Sequence, residues 1–292
     1  MKGEVPVTVQ DTSGTEPAEK VTSGRGAGAG GLGGYSSDRS LLADAGEIGR
    51  FLPKALLAVP MALRYPVDVL RQIGILITSS AAIIIFMELL IAAEISLEGH
   101  YVLSQLGATS YVGLFSVVTD YTVQAVMWGW ILGAKVGCGL VAELGSMRIN
   151  DEIDALEVMG VDSKAYLVGT RILALMIVTP FLFVLATGIM YITNYVVNVH
   201  VFQSVSPGGF IGVHFSFLTR MDIILSMVEA FVISVLIGVT ACYYGYNAKG
   251  GSVGVGQNTA RSEIIALVIT GVVGVIGAQL FFTGFERGPI AQ

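Results

Sequence analysis

Between two long apolar stretches of this chain lies the polar run Ala142 to Gly160, in which Asp151, Glu152, Asp154 and Glu157 set four carboxylates within seven residues. Carboxylates so placed suit recognition, by pairing with basic groups on a partner surface. Glu143 and Arg148 lead into the run, and Ile149, Ile153, Leu156 and Met159 recur through it near helical spacing. Asn150 is a suitable N-cap, Asp151 and Glu152 complement the positive end of a helix dipole, and Gly160 is placed to end the helix in the left-handed conformation. The pattern predicts a short amphipathic helix whose apolar ridge a partner can bury. A solvated connector lying on a bilayer would show the same pattern.

A second set of chemistry-bearing residues sits inside apolar runs: Glu88, Lys135 and Glu229. In a membrane an unpaired charge costs at least about 2.5 kcal/mol, so each calls for a cavity, a partner charge or a function. Lys135 is near enough to a boundary to snorkel. Glu88 lies within two turns of Glu94 and can reach outer headgroups or a partner outside, and Glu229 can equally make an interhelical hydrogen bond or a lipid contact. His100, His200 and His214 are isolated and form no cluster with a nucleophile, so no catalytic residue is assigned. Cys138 and Cys242 lie in apolar segments, which argues against a disulfide framework, and no Cys/His spacing suggests a metal site.

The elements that must position these groups follow from composition. With 292 residues, 53% hydrophobic and 13% charged, the chain is too apolar for an ordinary soluble domain and reads as all-α and membrane-spanning. A bilayer core about 30 Å thick takes roughly 20 helical residues. Runs of that length occur at 73–95, 121–142, 172–199, 223–248 and 264–285, giving five spans. The uncharged run 101–119 reads as an outer-face helix dipping into the membrane in preference to a sixth span. Ahead of the spans, Leu41, Leu42, Ile48, Phe51, Leu52, Ala55, Leu56 and Val59 describe an interfacial amphipathic helix, expected to break or bend near Pro53 and Pro60. Residues 1–40 are rich in Gly, Ser, Thr and Glu and read as a disordered tail.

Lys and Arg residues crowd one side of this plan. The segment through Arg71, then Arg148, Lys164 and Arg171, then Lys249 and Arg261 in a loop at 247–263, face only Arg220 and Arg287 opposite. That bias puts the N-terminus and the acidic run in the cytoplasm and the C-terminus outside. A lipid path through such a bundle must be apolar, and Met87, Leu90, Ile91, Phe231, Leu236 and Phe281 or Phe282 are candidates for its lining. The same residues suit a lipid-facing or core position equally well. Gly129, Gly133, Gly137, Gly139, Gly271, Gly274 and Gly277 permit close helix approach and a packed bundle.

The run Ala142-Glu143-Leu144-Gly145, then Met147-Arg148, then Glu152 to Asp162, closing with Arg171, resembles the signature of the MlaE/YrbE permeases. Cys242 to Tyr246 followed by Lys249-Gly250-Gly251 is similar to that family's junction between its fourth and fifth spans, and the Gly-rich N-terminal extension leans toward the actinobacterial YrbE branch. The resemblance implies a plasma-membrane permease domain over 41–292 behind a cytoplasmic tail over 1–40. It also implies a second permease subunit, in a heterodimer on the YrbE pattern, two cytoplasmic ATPases that bind the ATP and Mg, and MCE-domain proteins outside. In that picture the acidic run is the coupling helix that sits in a groove of the ATPase, and the cargo is a fatty-acid or sterol-like lipid, moved inward. Lys164 and Arg171 would anchor at headgroups. One departure stands out: Thr119-Asp120-Tyr121-Thr122-Val123-Gln124 replaces a polar motif that relatives end with Pro.

The chain carries no G-x-x-x-x-G-K-[ST] phosphate loop, so it binds no nucleotide or other cofactor by this reading and is a non-catalytic transport subunit. No nucleic-acid partner is expected. An ion-coupled secondary transporter using Glu88 or Glu229 is the alternative, although five spans without a visible repeat do not suit it. A membrane lipid acyltransferase is the weakest reading, because the histidines stand apart.

Overall fold

The computed structural model describes residues 41–283. The tail assigned to 1–40, the end of the chain from 284, including Arg287, and the side chains of 41, 42 and 281–283 lie outside the described residues. The elements are α1 Leu41–Ala62, α2 Pro66–Gln105, α3 Thr109–Ile149, α4 Glu152–Val158, α5 Lys164–Val201, α6 Pro207–Phe217, α7 Arg220–Tyr246 and α8 Gly251–Thr283. There is no strand among the described residues. Helices α2, α3, α5, α7 and α8 are the five long and apolar enough to span a membrane, so the protein is an all-α membrane protein with an additional N-terminal helix.

Burial orders these helices. In the most apolar stretch of α3, 56% of residues are buried within the chain, against 28% in α2 and in α8, so α3 lies in the interior and α2 and α8 toward the periphery. Helix α7 packs against α1, α3, α5 and α8, while α2 packs chiefly against α5. Side chains explain the close fits. A Cβ at Gly129 would meet Thr270 and Ile233, and one at Gly274 would lie 2.5 Å from Val126, so these glycines let α3, α7 and α8 approach. Gly139 and Gly271, by contrast, face open space. The buried Trp128 indole donates to Ser234 Oγ at 2.9 Å, tying α3 to α7.

The boundaries differ from the sequence reading in four places. The run 101–119 is neither a sixth span nor a separate outer helix. It is the end of α2, a turn with Gly107 at φ 66°, and the start of α3. The second span thus begins at Thr109 and encloses Asp120. Helix α1 runs through Pro53 and Pro60 and ends only at Ala62. Finally, α8 begins at Gly251, so the loop expected over 247–263 shrinks to a short turn and Arg261 lies within α8. Helix α2, at 40 residues, is about 60 Å long and reaches well beyond a bilayer core about 30 Å thick.

Candidate functional site

The acidic run folds as an offshoot of α3. Asn150 does not cap the next helix; it closes α3, with its backbone N–H bonded to the Ser146 carbonyl at 3.1 Å. Asp151 then adopts φ 58°, the left-handed region that Asp tolerates better than most residues, and α4 starts at Glu152. At the other end Val161 N–H reaches the Leu156 carbonyl and Gly160 N–H the Glu157 carbonyl, with Gly160 at φ 78°. That pair of bonds is a Schellman closure and needs the glycine predicted for it.

The helix turns its two faces differently from the expected ridge. Ile153 is fully buried, in one cluster with Ala55 of α1, Leu144 of α3, Leu167 and Ile172 of α5 and Val239 of α7, and Leu156 packs at its edge. These side chains fasten α4 to the bundle and are not available to a partner. Ile149 is half-buried at the end of α3. The apolar surface left outward is Val158, 89% exposed, and Met159, 69% exposed, with Glu152 exposed at the start of the same helix.

Four of the predicted polar residues, Glu143, Arg148, Asp154 and Glu157, are engaged within the chain. Arg148 Nη1 donates to Asp154 Oδ1 at 2.5 Å across the Asp151 turn. Glu157 Oε1 accepts from Ser163 Oγ at 2.7 Å and from Tyr246 Oη at 3.0 Å, joining α4 to the approach to α5 and to the end of α7. Those two hydroxyl donors hold the Glu157 carboxyl below the usual Glu range. Glu143 Oε1 accepts from Arg171 Nη2 at 2.7 Å. Arg171 is only 4% exposed and also donates to the Leu167 carbonyl at 2.9 Å, so it braces α5 against α3 and does not reach headgroups as expected. Lys164 is exposed. Asp151 and Glu152 remain exposed, with no ion pair to another described residue.

Helix α1 is held on the same side. Asp44, 3% exposed, accepts from Tyr244 Oη at 2.8 Å and lies 3.7 Å from Arg261 Nη1. Sequence spacing could not pair them, since they come from the two ends of the chain.

Within the span region a polar column crosses three helices. Asp120 accepts from Ser116 Oγ at 2.9 Å and from Asn194 Nδ2 at 2.5 Å, and Ser96 Oγ bonds to Asn194 Oδ1. Asp120 sits in a π-helical turn, Thr119–Val123, which interrupts the α-helical ladder of α3. Glu88 is fully buried on α2; its carboxylate adjoins the Gln124 amide without reaching hydrogen-bond geometry. Of these residues Glu88 was expected inside a span, Asp120 and Gln124 stood out only within the departing run 119–124, and Ser96, Ser116 and Asn194 were not singled out from sequence. Glu229 is 6% exposed and close against Gly277 of α8, and Lys135 is half-buried in the π-helical turn Gly133–Gly137.

The predicted lipid-path residues do not converge. Leu236 lines an apolar cavity of 340 Å³ among α1, α7 and α8, with Ile48, Leu52, Ile265 and Val268. Phe231 packs against the cluster that holds Ile153, and Ile91 against the main core. Met87 and Leu90 are exposed on α2. The Phe281 side chain lies outside the described residues.

Comparison with known proteins shows what the chain is similar to. A family described as Permease MlaE matches residues 69–283. "Probable ABC transporter permease protein" of Rickettsia bellii is 26% identical over 240 residues, covering 81% of this chain and 92% of that protein. "Intermembrane phospholipid transport system permease protein MlaE" of Haemophilus influenzae is 26% identical over 242 residues, 82% of this chain and 92% of that protein. "Protein TRIGALACTOSYLDIACYLGLYCEROL 1, chloroplastic" of Arabidopsis thaliana is 24% identical over 172 residues, 59% of this chain and 49% of that protein. With a match that runs from the first turn of α2 to the end of α8, the chain belongs to the MlaE permease family.

Proposed function

We propose that this chain is the membrane-spanning subunit of an ATP-driven lipid transporter, and that α4 is where a separate ATPase delivers its motion. The observation that carries this reading is the two-sided character of α4. Ile153 locks one side into a cluster shared by α1, α3, α5 and α7, while Val158 and Met159, with Glu152 at the start of the same helix, stand exposed on a side that no described residue covers. A large exposed apolar pair rimmed by acids is what a docking helix presents. A push on α4 is carried into the bundle through Ile153, through Glu157 to Tyr246, and through the Arg171–Glu143 brace.

The wider assembly follows the resemblance. A second permease subunit completes a heterodimer, two ATPases bind the ATP and Mg, and MCE-domain proteins receive or supply lipid outside. The relative from Haemophilus influenzae, named for intermembrane phospholipid transport, supports a lipid cargo. The membrane is the plasma membrane, with the N-terminus and α4 in the cytoplasm, and transport runs inward. The test is reconstitution with the ATPase, comparing the natural chain with Val158→Asp and Glu152→Lys. Each substitution should weaken association and lower lipid-stimulated ATP hydrolysis at least about tenfold, the loss of one well-placed contact of about 1.4 kcal/mol. Association unchanged in both variants would overturn the coupling role.

A further inference from the structure

A cavity of 270 Å³ opens between α3, α5, α6 and α7, away from α4. Phe183, Val184, Phe215, Ile223 and Met227 make its walls apolar, and Tyr121 and Tyr191 line it as well. Two of its lining residues carry buried polar atoms with no hydrogen-bond partner: His214 Nδ1, on a residue 1% exposed, and Ser226 Oγ, on a residue 2% exposed. Buried polar atoms are normally satisfied, so two orphans on one apolar cavity call for a missing partner.

The state of the imidazole says what kind of partner. Burial pushes the His214 pKa down to about 4, against a smaller opposing effect of its hydrogen bond to the Gly113 backbone, so the ring is neutral at pH 7. A neutral imidazole that gives its single N–H to a carbonyl presents its other nitrogen as an acceptor. Ser226 offers a hydroxyl that donates or accepts. Among the described residues no Lys or Arg lines the cavity, and Asp222 lies close to Tyr121, so an anionic head would enter without a counter-charge from them. The volume is about nine times the ~30 Å³ that one water takes in the liquid, enough for the end of a lipid and not for a whole one.

We propose that this cavity binds the uncharged, hydroxyl-bearing end of an apolar molecule, the hydroxyl donating to His214 Nδ1 and bonding to Ser226 Oγ, with the first carbons of the chain against Phe183 and Met227. This names a ligand-recognition site within one subunit and is independent of the coupling role given to α4.

The test uses the full chain in detergent, without ATPase or nucleotide, so its outcome does not depend on coupling. A diazirine-bearing hexadecanol and the matching hexadecanoic acid serve as probes, with labelled peptides mapped by mass spectrometry. The alcohol should label the segments around 183–191 and 214–227 saturably, compete with unlabelled hexadecanol, and exceed the acid. His214→Phe and Ser226→Ala should each weaken labelling up to about tenfold, the scale of one hydrogen bond. His214→Gln, which keeps an acceptor and a donor, should recover most of it and shows that a loss in His214→Phe is not misfolding. Equal labelling by acid and alcohol, unsaturable labelling spread over α2 and α8, or full labelling of His214→Phe would each overturn the proposal.

Discussion

At the scale of single residues, Arg171 and Glu143 make the clearest case. Arg171 is buried while Glu143 is 45% exposed, so the pair sits where α3 and α5 leave the core. Removing the carboxylate leaves a guanidinium in the interior with one fewer acceptor. Glu143→Ala should therefore lower stability by about 1–3 kcal/mol, the cost of an unsatisfied buried group, and Glu143→Gln should recover part of it. Thermal unfolding of the purified chain reads this out, and a Glu143→Ala protein as stable as the natural one would remove the brace from the coupling scheme. Gly277 makes a second case. A Cβ there collides with the Glu229 carboxylate, so Gly277→Ala should cost about 1–3 kcal/mol by overpacking. Glu229→Ala in the same chain should relieve most of that cost, and additive losses in the double variant would show the two do not touch.

At the scale of elements, α4 separates inward from outward side chains, and substitution can measure the difference. Ile153→Ala should cost about 2–5 kcal/mol because it opens a cavity among four helices. Val158→Ala, on the exposed side, should stay within about 0.5 kcal/mol. Equal effects in the unfolding curve would mean that α4 is not docked as described. Glu157 adds a pH dependence. Its folded-state pKa is lowered, so the anchoring by Ser163 and Tyr246 is complete above the ordinary Glu value of about 4.3 and is lost as pH falls through the lower folded value. Amide protection across 152–159, taken relative to the intrinsic exchange rate at each pH, should be high at neutral pH and fall toward pH 3 more than protection in α7; a parallel change in both would exclude Glu157 as the cause.

The same elements show what the sequence could and could not reveal. The number of spans, the acidic helix and its glycine stop were legible, because apolar length and capping are local properties. The start of the second span was not. Gly107, Ser104 and Ser110 dilute the apolar signal there, and placing the boundary at Tyr121 left Asp120 outside a span that encloses it. The orientation of α4 was hidden for a different reason. The left-handed Asp151 breaks the helix between Ile149 and Ile153, so the four residues of the expected ridge do not share one axis. The interhelical partners of Asp120, Arg171 and Asp44, namely Asn194, Glu143, and Tyr244 with Arg261, lie tens to hundreds of residues away and emerge only when the helices pack.

At the scale of the whole molecule, the charged ends of the bundle predict its orientation in the membrane. Helix α7 has 27 residues, about 40 Å, with Arg220 at one end and Tyr246, bonded to Glu157 of α4, at the other. Arg148, Lys164, Arg171 and Lys249 lie toward the α4 end, as do Arg50 and Lys54 of α1, which share a cavity with Lys164, Tyr243 and Tyr246. The shortened loop before α8 moves Arg261 into a helix, but its contact with Asp44 keeps it at that same end. The bias toward the α4 end therefore survives the revised boundaries, and cytoplasmic loops are the ones enriched in Lys and Arg. Single cysteines at Val158 on α4 and at Gly212 on α6 make this measurable, since Val158 is exposed and Gly212 has open space around it. A membrane-impermeant maleimide should label Gly212→Cys in intact spheroplasts and Val158→Cys only in inverted vesicles. The natural Cys242 is buried and Cys138 is partly buried, so the unsubstituted chain sets the background. Labelling of Val158→Cys from outside would place α4 on the side without ATP, and no ATPase could then dock on it.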